Sequence, residues 1–513
     1  MDVRSLFLRA VETWPDHEAI ATEDVRLTFA QAWERGLRLA NVLREHGVEP
    51  GDRVAVLEDN SLGAADFYLA CTAANIVRVP LYARNSTEAH VHMITNTDCK
   101  VVVVAEHYAG ELPADLAELP GVARVLVRDE TYEDLLAAAS PVDPAPRVSA
   151  DDIYVIRHTA GTTGRSKGVA YTHRTWLAYC RDWMYQFPPV QVGDTNMCAS
   201  PISHGSGYFF TPTWIGGGRN YMLNKVDPPV TLEIMERERT SYMWCVPTLL
   251  GMLARVPGAS DRDWSSIKGF LVAGAPVSET TARAGRKAFG DVLYSGYGQT
   301  ECYPITSITP QEWFADLPGS QPLRSAGRPY AFAMVRIVDP ATGEDVAPGG
   351  EGEIVAQTDG QLLEYWKDPA ATEEKLRDGW VHTGDIGRID ENGFLYLLDR
   401  ASDMIISGGF NIYPAELENA IASHPEIIEV AVFAVPHETW GEAPAAVCTV
   451  TDQALVTAEE IIELCRRKLG SYKKPAEVVI TADPLPKSAV GKILRRELRE
   501  PYWAGRSQRV SGS

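Results

Sequence analysis

Along the first 130 residues, short apolar runs alternate with longer amphipathic stretches. Thr28 and Gln31 form a capping-box pair ahead of "AWERGLRLANVLREHG". In that stretch Trp33, Leu37 and Ala40 share one face, and Gly47 can end the helix. "RVAVLE" (53–58) and "KVVVVAE" (100–106) read as buried strands, with the helix-like "GAADFYLACTAAN" between them. This repeated β–α order predicts a mostly parallel sheet covered by helices. From about residue 320 the pattern shifts to short strands and glycine-rich turns: "VRIVD", "GEIVAQ", "GFLYLLD". After "DRASDMIISGG" it shifts again, to "IIEVAVFAV", "AAVCTVT", the helix "TAEEIIELCRRKLG" and "AEVVIT", the signature of a small α+β domain. The fold class expected is α/β. A large N-terminal domain (1–399) carries mixed, largely parallel sheets with helices and a small β-rich subdomain. A short linker (400–401) leads to a small α+β C-terminal domain (402–513).

Composition narrows the classes of function. A chain of 513 residues, 45% hydrophobic and 23% charged, is long enough for more than one packed domain. No apolar run reaches the length of a membrane span, and "MDVRSLFLRAVETWPDHEA" lacks the uninterrupted apolar core of a signal peptide, so the chain reads as cytoplasmic. A net charge of −21 argues against nucleic acid or an anionic membrane as the main partner. The eight cysteines are scattered with no C-x-x-C pair, which suits a reducing compartment better than a disulfide framework or a zinc site. Five of the twelve lysines (Lys468, Lys473, Lys474, Lys487, Lys492) crowd into the C-terminal segment. They read either as a solvated face or as a surface that meets phosphate.

The stretch "RHTAGTTGRSKGVAYTH" (157–173) gathers glycines, hydroxyls and one cation between apolar runs. Backbone N–H groups in such a loop can converge on an anion, with Thr162, Thr163 and Lys167 as further donors. The other reading is a glycine-rich surface turn. The pattern G-x-x-x-x-G-K-[ST] is not matched, because Ser166 precedes the lysine and Gly168 follows it. "DIYVIRH" and "GVAYTH" both read as strand, so the loop joins two strands.

Five further motifs follow in order: "AGAP" (273–276), "YSGYGQTEC" (294–302), "WVHTGD" (380–385), "DRASDMIISGGFNIYPAELE" (399–418) and "PKSAVGKILRREL" (486–498). In this order and spacing the set resembles the adenylate-forming superfamily of acyl-CoA synthetases, nonribosomal-peptide adenylation domains and beetle luciferases, over roughly residues 10 to 500. The resemblance implies that a carboxylic acid is joined to the α-phosphate of ATP with release of pyrophosphate, and that a thiol then attacks the acyl-adenylate. It implies that Thr159, Gly161, Thr162, Thr163 and Gly164 with Lys167 hold the β- and γ-phosphates. Glu301 would bind Mg²⁺ and Thr300 the α-phosphate. Gly296, Tyr297 and Gly298, with Gly274, Ala275 and Pro276, would enclose adenine. Asp385 would accept from the ribose hydroxyls with Arg400 beside it, and Lys492 would reach the carboxylate and α-phosphate from a mobile small domain. Gly408, Gly409 and Phe410 would line the thiol tunnel, and the small domain would turn about Ser402.

Departures from the family pattern qualify the transfer of roles. Ser166 stands where the loop usually has proline, Ser402 where the pivot is commonly aspartate or lysine, and Phe410 where glutamate is frequent. Ile406 replaces the lysine of luciferases, which counts against oxygenase activity. Asp385 and Arg400 have bland readings as a turn cap and a surface charge. The acyl-pocket candidates are His204, Tyr208, Phe209, Val272 and Tyr303, a set that admits an aryl, alicyclic or medium-length acyl group. "SYMWCVPT" lacks the aspartate that binds an α-amine in the amino-acid branch. The expected activity is ATP-dependent ligation of a small-molecule carboxylic acid to coenzyme A, by a monomer or homodimer. A stand-alone enzyme loading a carrier-protein phosphopantetheine is one alternative, and a non-catalytic acyl- or nucleotide-binding homologue another.

Overall fold

The computed structural model describes residues 1–82, 85–159, 166–400, 403–407, 410–437, 440–451, 455–471, 473–487 and 493–504; of 399, 400, 406, 410 and 411 it describes the backbone alone. Thr28 caps the helix Phe29–Glu45 as its sequence predicts. Its hydroxyl accepts from the Gln31 amide at 3.2 Å, and the Gln31 side chain accepts from the Thr28 amide at 3.0 Å. The chain turns out through His46 and through Gly47 at φ +82°. The helix Leu62–Ala74 is largely apolar and buried on nearly every side, and its one carboxylate, Asp66, is paired with Arg35 at 2.8 Å.

Two of the sheets are large. In one, Ile153–His158, Val77–Pro80, Arg53–Leu57, Cys99–Ala105 and Arg124–Arg128 run parallel in that spatial order. Gly168–Thr172 and Glu364–Tyr365 extend its edge antiparallel. The other has nine strands with a parallel centre, from Glu18–Ala21 through Arg219–Met222, Thr195–Cys198, Thr240–Cys245 and Gly269–Ala273 to Leu293–Gln299. The antiparallel strand Cys302–Ile308 follows at its far side. The main core lies between the sheets. Tyr154 and Tyr171 of one and Tyr242 and Leu271 of the other close on the helices Leu62–Ala74, His173–Gln186 and Gly207–Ile215.

A separate antiparallel sheet follows: Ala333–Val338, Gly352–Thr358 and Trp380–Ile389, with Leu376–Arg377 and Leu395–Arg400 pairing to the last. Beyond it, Ile405–Ser407, Phe410–Ile412, Ile427–His437, Gly441–Val450 and Glu477–Thr481 form a mixed sheet. The helices Pro414–Ala422 and Ala458–Leu469 give that sheet its own core, built on Ile405, Leu417, Val432, Cys448 and Ile461. Its main attachment among the described residues is Tyr413, which packs on Ile386 and Leu398 and donates to Glu351 Oε2 at 3.0 Å. No helix of the described residues is long and apolar enough to cross a membrane. All eight cysteines are free and buried. Burial pushes the Cys302 thiol up to about 12, so this neighbour of the "YGQTE" motif is a packed apolar group, not a nucleophile.

Candidate active site

The glycine-rich loop bridges two antiparallel strands, Ile153–His158 and Gly168–Thr172. The Thr159 amide donates to the Lys167 carbonyl at 2.9 Å and closes the loop at its base. Gly161, Thr162, Thr163 and Gly164 lie outside the described residues. Lys167 holds its ammonium 5.1 Å from the centre of the Tyr365 ring. The Tyr365 hydroxyl in turn donates to Glu301 Oε1 at 2.5 Å. Burial, with the Glu301 charge beside it, drives the Tyr365 phenol well above its ordinary range, so it remains a donor. Tyr365 carries no motif that a sequence reading could find. The edge strand Glu364–Tyr365 brings it in by pairing with Gly168–Thr172.

"YGQTE" is the end of one strand and the turn that follows. Gln299 pairs with Cys302, so Thr300 and Glu301 are the two residues of a hairpin tip. Thr300 is half-buried there, while Glu301 is buried. Gly296 lies in the strand, and Gly298 is required by contact: a Cβ there would come 2.3 Å from Tyr303 Cδ2.

Asp385 is reached from a different sheet. Gly384, at φ +73°, kinks the strand Trp380–Ile389 just before it. Asp385 Oδ2 accepts from Tyr297 Oη at 2.6 Å and from Gln299 Nε2 at 2.7 Å. Lys375 Nζ donates to Gln299 Oε1 at 2.8 Å and to the Thr383 carbonyl at 3.1 Å. Gln299 and Lys375 thus belong to the site although neither was singled out from sequence. Arg400 occupies the register position opposite Asp385. Gly274, Ala275 and Pro276 form the exposed turn after Gly269–Ala273, the strand beside Leu293–Gln299.

The acyl candidates divide. His204 packs against Tyr82, ring centres 4.0 Å apart. Tyr208 stacks on Tyr179 at 4.6 Å and on Tyr303 at 5.6 Å, and Phe209 lies against Trp183 and Phe187. Val272 departs from expectation. It packs on the opposite face of its sheet with Phe270, Met243 and Leu250, while its neighbours Leu271 and Ala273 share the core of Tyr208 and Tyr303. Alternation along a strand sends adjacent residues to opposite faces, so Leu271 and Ala273, not Val272, lie on the side of Tyr208 and Tyr303.

Ser402, Gly408, Gly409 and Lys492 lie outside the described residues, and Phe410 is described as backbone, in the strand Phe410–Ile412. The segment carrying Lys492 is bracketed by a bridge between Lys487 and Ile493. Lys473 is ion-paired to Glu416. Among the described residues no three His, Cys, Asp or Glu side chains gather into a metal cage. Glu301 offers one carboxylate, a donor set Mg²⁺ accepts when nucleotide phosphates and water fill its other positions.

A profile of the AMP-binding enzyme family matches residues 7–366, and one of the AMP-binding enzyme C-terminal domain matches residues 416–492. The chain is 35% identical over 497 residues to a feruloyl-CoA synthase from an Amycolatopsis species, covering 96% of this chain and 98% of that one. It is 33% identical over 489 residues to the long-chain-fatty-acid–CoA ligase FadD13 of Mycobacterium tuberculosis, covering 94% of each. The solved structure of ATP-bound MatB from Rhodopseudomonas palustris superposes with a TM-score of 0.87 at 30% identity, over 98% of this chain and 99% of that one. The chain therefore belongs to the AMP-binding enzyme family, within the adenylate-forming superfamily of acyl-CoA synthetases.

Proposed function

We propose that this protein is an ATP-dependent acid–CoA ligase whose acid is an aryl or medium-length carboxylic acid. A carboxylate is a poor acyl electrophile because its charge repels a nucleophile. In the first half-reaction one carboxylate oxygen bonds to the α-phosphorus of ATP while the bond to the β-phosphate oxygen breaks and pyrophosphate leaves. In the second, the coenzyme A sulfur bonds to the acyl carbon and AMP leaves. Both steps bring anions together, so the chain must supply fixed donors and cations.

In this reading Lys167 and the loop from Thr159 to Gly164 hold the β- and γ-phosphates, and Thr300 donates to the α-phosphate. Tyr297 and the turn Gly274–Pro276 flank adenine, and Asp385, with Arg400 opposite, accepts from the ribose. Mg²⁺, held by Glu301 and by the phosphates themselves, would add positive charge at the bridging oxygens. His204 stands at the mouth of the acyl pocket. Residues 1–399 form the nucleotide- and acid-binding domain and 402–513 a domain that turns about Ser402. That domain presents Lys492 in the first half-reaction and Gly408, Gly409 and Phe410 to the thiol in the second. The observation that carries the reading is the meeting of Asp385 with Tyr297 and Gln299, beside Glu301 with Tyr365 and Lys167. A solvated-face role does not explain the burial of Asp385, Glu301 and Tyr365.

Lys492→Ala tests it. Losing a preorganised cation at the meeting anions costs on the order of 10²-fold or more. Acid-dependent ATP–pyrophosphate exchange should fall by that factor, while supplied acyl-adenylate and coenzyme A still yield thioester. Equal impairment of both half-reactions would sink the alternation of domains. Absence of exchange in the unaltered protein with every acid offered would sink the ligase reading.

A further inference from the structure

Two arginines are buried in the core between the large sheets, and they differ in what surrounds them. Arg78, on Val77–Pro80, has Nε and Nη2 without hydrogen-bond partners. It lines a cavity of about 30 Å³ that also contains Glu58, whose Oε2 is likewise unpartnered. One water fits such a space and can serve both groups. Charge and counter-charge there are already the protein's own.

Arg157 has no such neighbour. It stands on the strand Ile153–His158, two residues before the phosphate loop begins, and is 2% exposed. Nε and Nη1 have no hydrogen-bond partner, and among the described residues no carboxylate pairs with it. The titratable groups that face it are four tyrosines: Tyr208, Tyr82, Tyr171 and Tyr179. Its guanidinium lies 4.4 Å from the centre of the Tyr208 ring, in the stack that Tyr208 forms with Tyr179 and Tyr303. The hydroxyls of Tyr171 and Tyr179, two of the tyrosines that face it, are buried and have no hydrogen-bond partner. Tyr82, which packs on His204, donates to the carbonyl of His158, the residue after Arg157. The region of Tyr208 and Tyr303, where the ligase reading puts the acyl group, therefore has an aromatic wall, buried hydroxyls without partners and one permanent cation.

A guanidinium stays protonated in any protein environment, and a desolvated charge without a partner is costly. Aromatic faces offset part of that cost, but the fork of N–H groups is matched best by a carboxylate. We propose that Arg157 is the specificity residue of the acyl pocket and that it selects an acid carrying a second carboxylate, remote from the one that is activated. This rests on the ligase reading above and names its substrate class. The reacting carboxylate faces ATP, and the second is received, unreacted, by Arg157.

The test is ATP–pyrophosphate exchange with matched pairs of acids: terephthalate against 4-methylbenzoate, and adipate against heptanoate. For at least one pair the unaltered enzyme should favour the diacid by about 10²-fold or more in kcat/KM, since a site built to bond a polar group rejects the analogue lacking it. Arg157→Leu removes a buried charge and should reverse that preference, losing the diacid and keeping or gaining the methyl-terminated acid. Arg157→Lys keeps the charge without the fork, should fall between the two, and decides the matter should the leucine variant not fold. Exchange with the methyl-terminated acids equal to or better than with the diacids overturns this proposal and leaves the ligase reading intact. An unchanged preference in Arg157→Leu overturns it as well. Exchange with neither series, nor with any other acid, overturns both.

Discussion

Asp385 Oδ2 accepts from Tyr297 and from Gln299, both on the strand that ends in the Glu301 turn. Because Tyr297 and Gln299 donate to the same oxygen, the carboxylate is oriented and its ability to accept is what the site uses. Asp385→Asn keeps the volume but turns one acceptor into a donor, which sets an N–H against the donors now present or takes it away from the ribose. Hydrogen bonds to a charged group are worth about 1.5–3 kcal/mol. We expect the KM for ATP in the exchange assay to rise by roughly 10- to 100-fold, with the KM for the acid little changed. An ATP KM equal to that of the unaltered protein would remove Asp385 from the nucleotide site.

At the scale of elements, the hairpin that carries the phosphate loop is flanked by two buried histidines. His158 ends its first strand, is 1% exposed and has both ring nitrogens unpartnered. His173 opens the helix His173–Gln186, accepting from the Val3 amide at Nδ1 and bonding Asn75 Oδ1 through Nε2. Burial lowers the first to about 3 and the second to about 4. The folded protein therefore keeps both neutral, whereas the unfolded chain takes up protons as the pH falls below about 6.5. The unfolded state then binds more protons, so stability is complete above that pH and drains away as the pH falls towards 4. At pH 5 each histidine should cost about 2 kcal/mol relative to pH 7. The buried Asp66 and Asp182 carboxyls, raised to about 6, act in the opposite sense and are common to the unaltered protein and a histidine variant, so the two are compared. The urea midpoint of His158→Phe should drop less, or rise more, from pH 7 to pH 5 than that of the unaltered protein, and an equal change in the two would show that His158 is not held neutral by the fold.

At the scale of the whole molecule, the C-terminal sheet has its own core, and among the described residues Tyr413 joins it to the sheet before it by packing on Ile386 and Leu398. A domain with a separate core and a narrow attachment can turn as a unit. If residues 402–513 rotate about Ser402, proline there should hold one orientation, because its ring fixes the φ angle that must change. Ser402→Pro should preserve acyl-adenylate formation and slow thioester formation sharply, measured as separate half-reactions. Unaltered rates in both would place the pivot elsewhere.

How far the sequence alone reaches depends on whether a residue's role is local. The Thr28–Gln31 cap, the parallel strands at "RVAVLE" and "KVVVVAE", the change of pattern near residue 320 and the order of the motifs are local or one-dimensional. Capping, periodicity and turn chemistry act over a few residues, and they determined the fold class and the family. The meeting of Tyr297 with Asp385, 88 residues apart, is not local, and neither is the approach of Tyr365 to Glu301. Val272 marks the limit most plainly. All five residues of Gly269–Ala273 are buried, so the strand carries no polar alternation from which a face could be read. Arg157 is the counterpart, an arginine that follows a run of buried apolar and aromatic residues in its strand and whose surroundings come from segments tens of residues away. Only packing decided which side of a fully buried strand joins the core of Tyr208 and Tyr303 and which charge is left without a carboxylate, because burial on both faces removes the contrast by which sequence encodes direction.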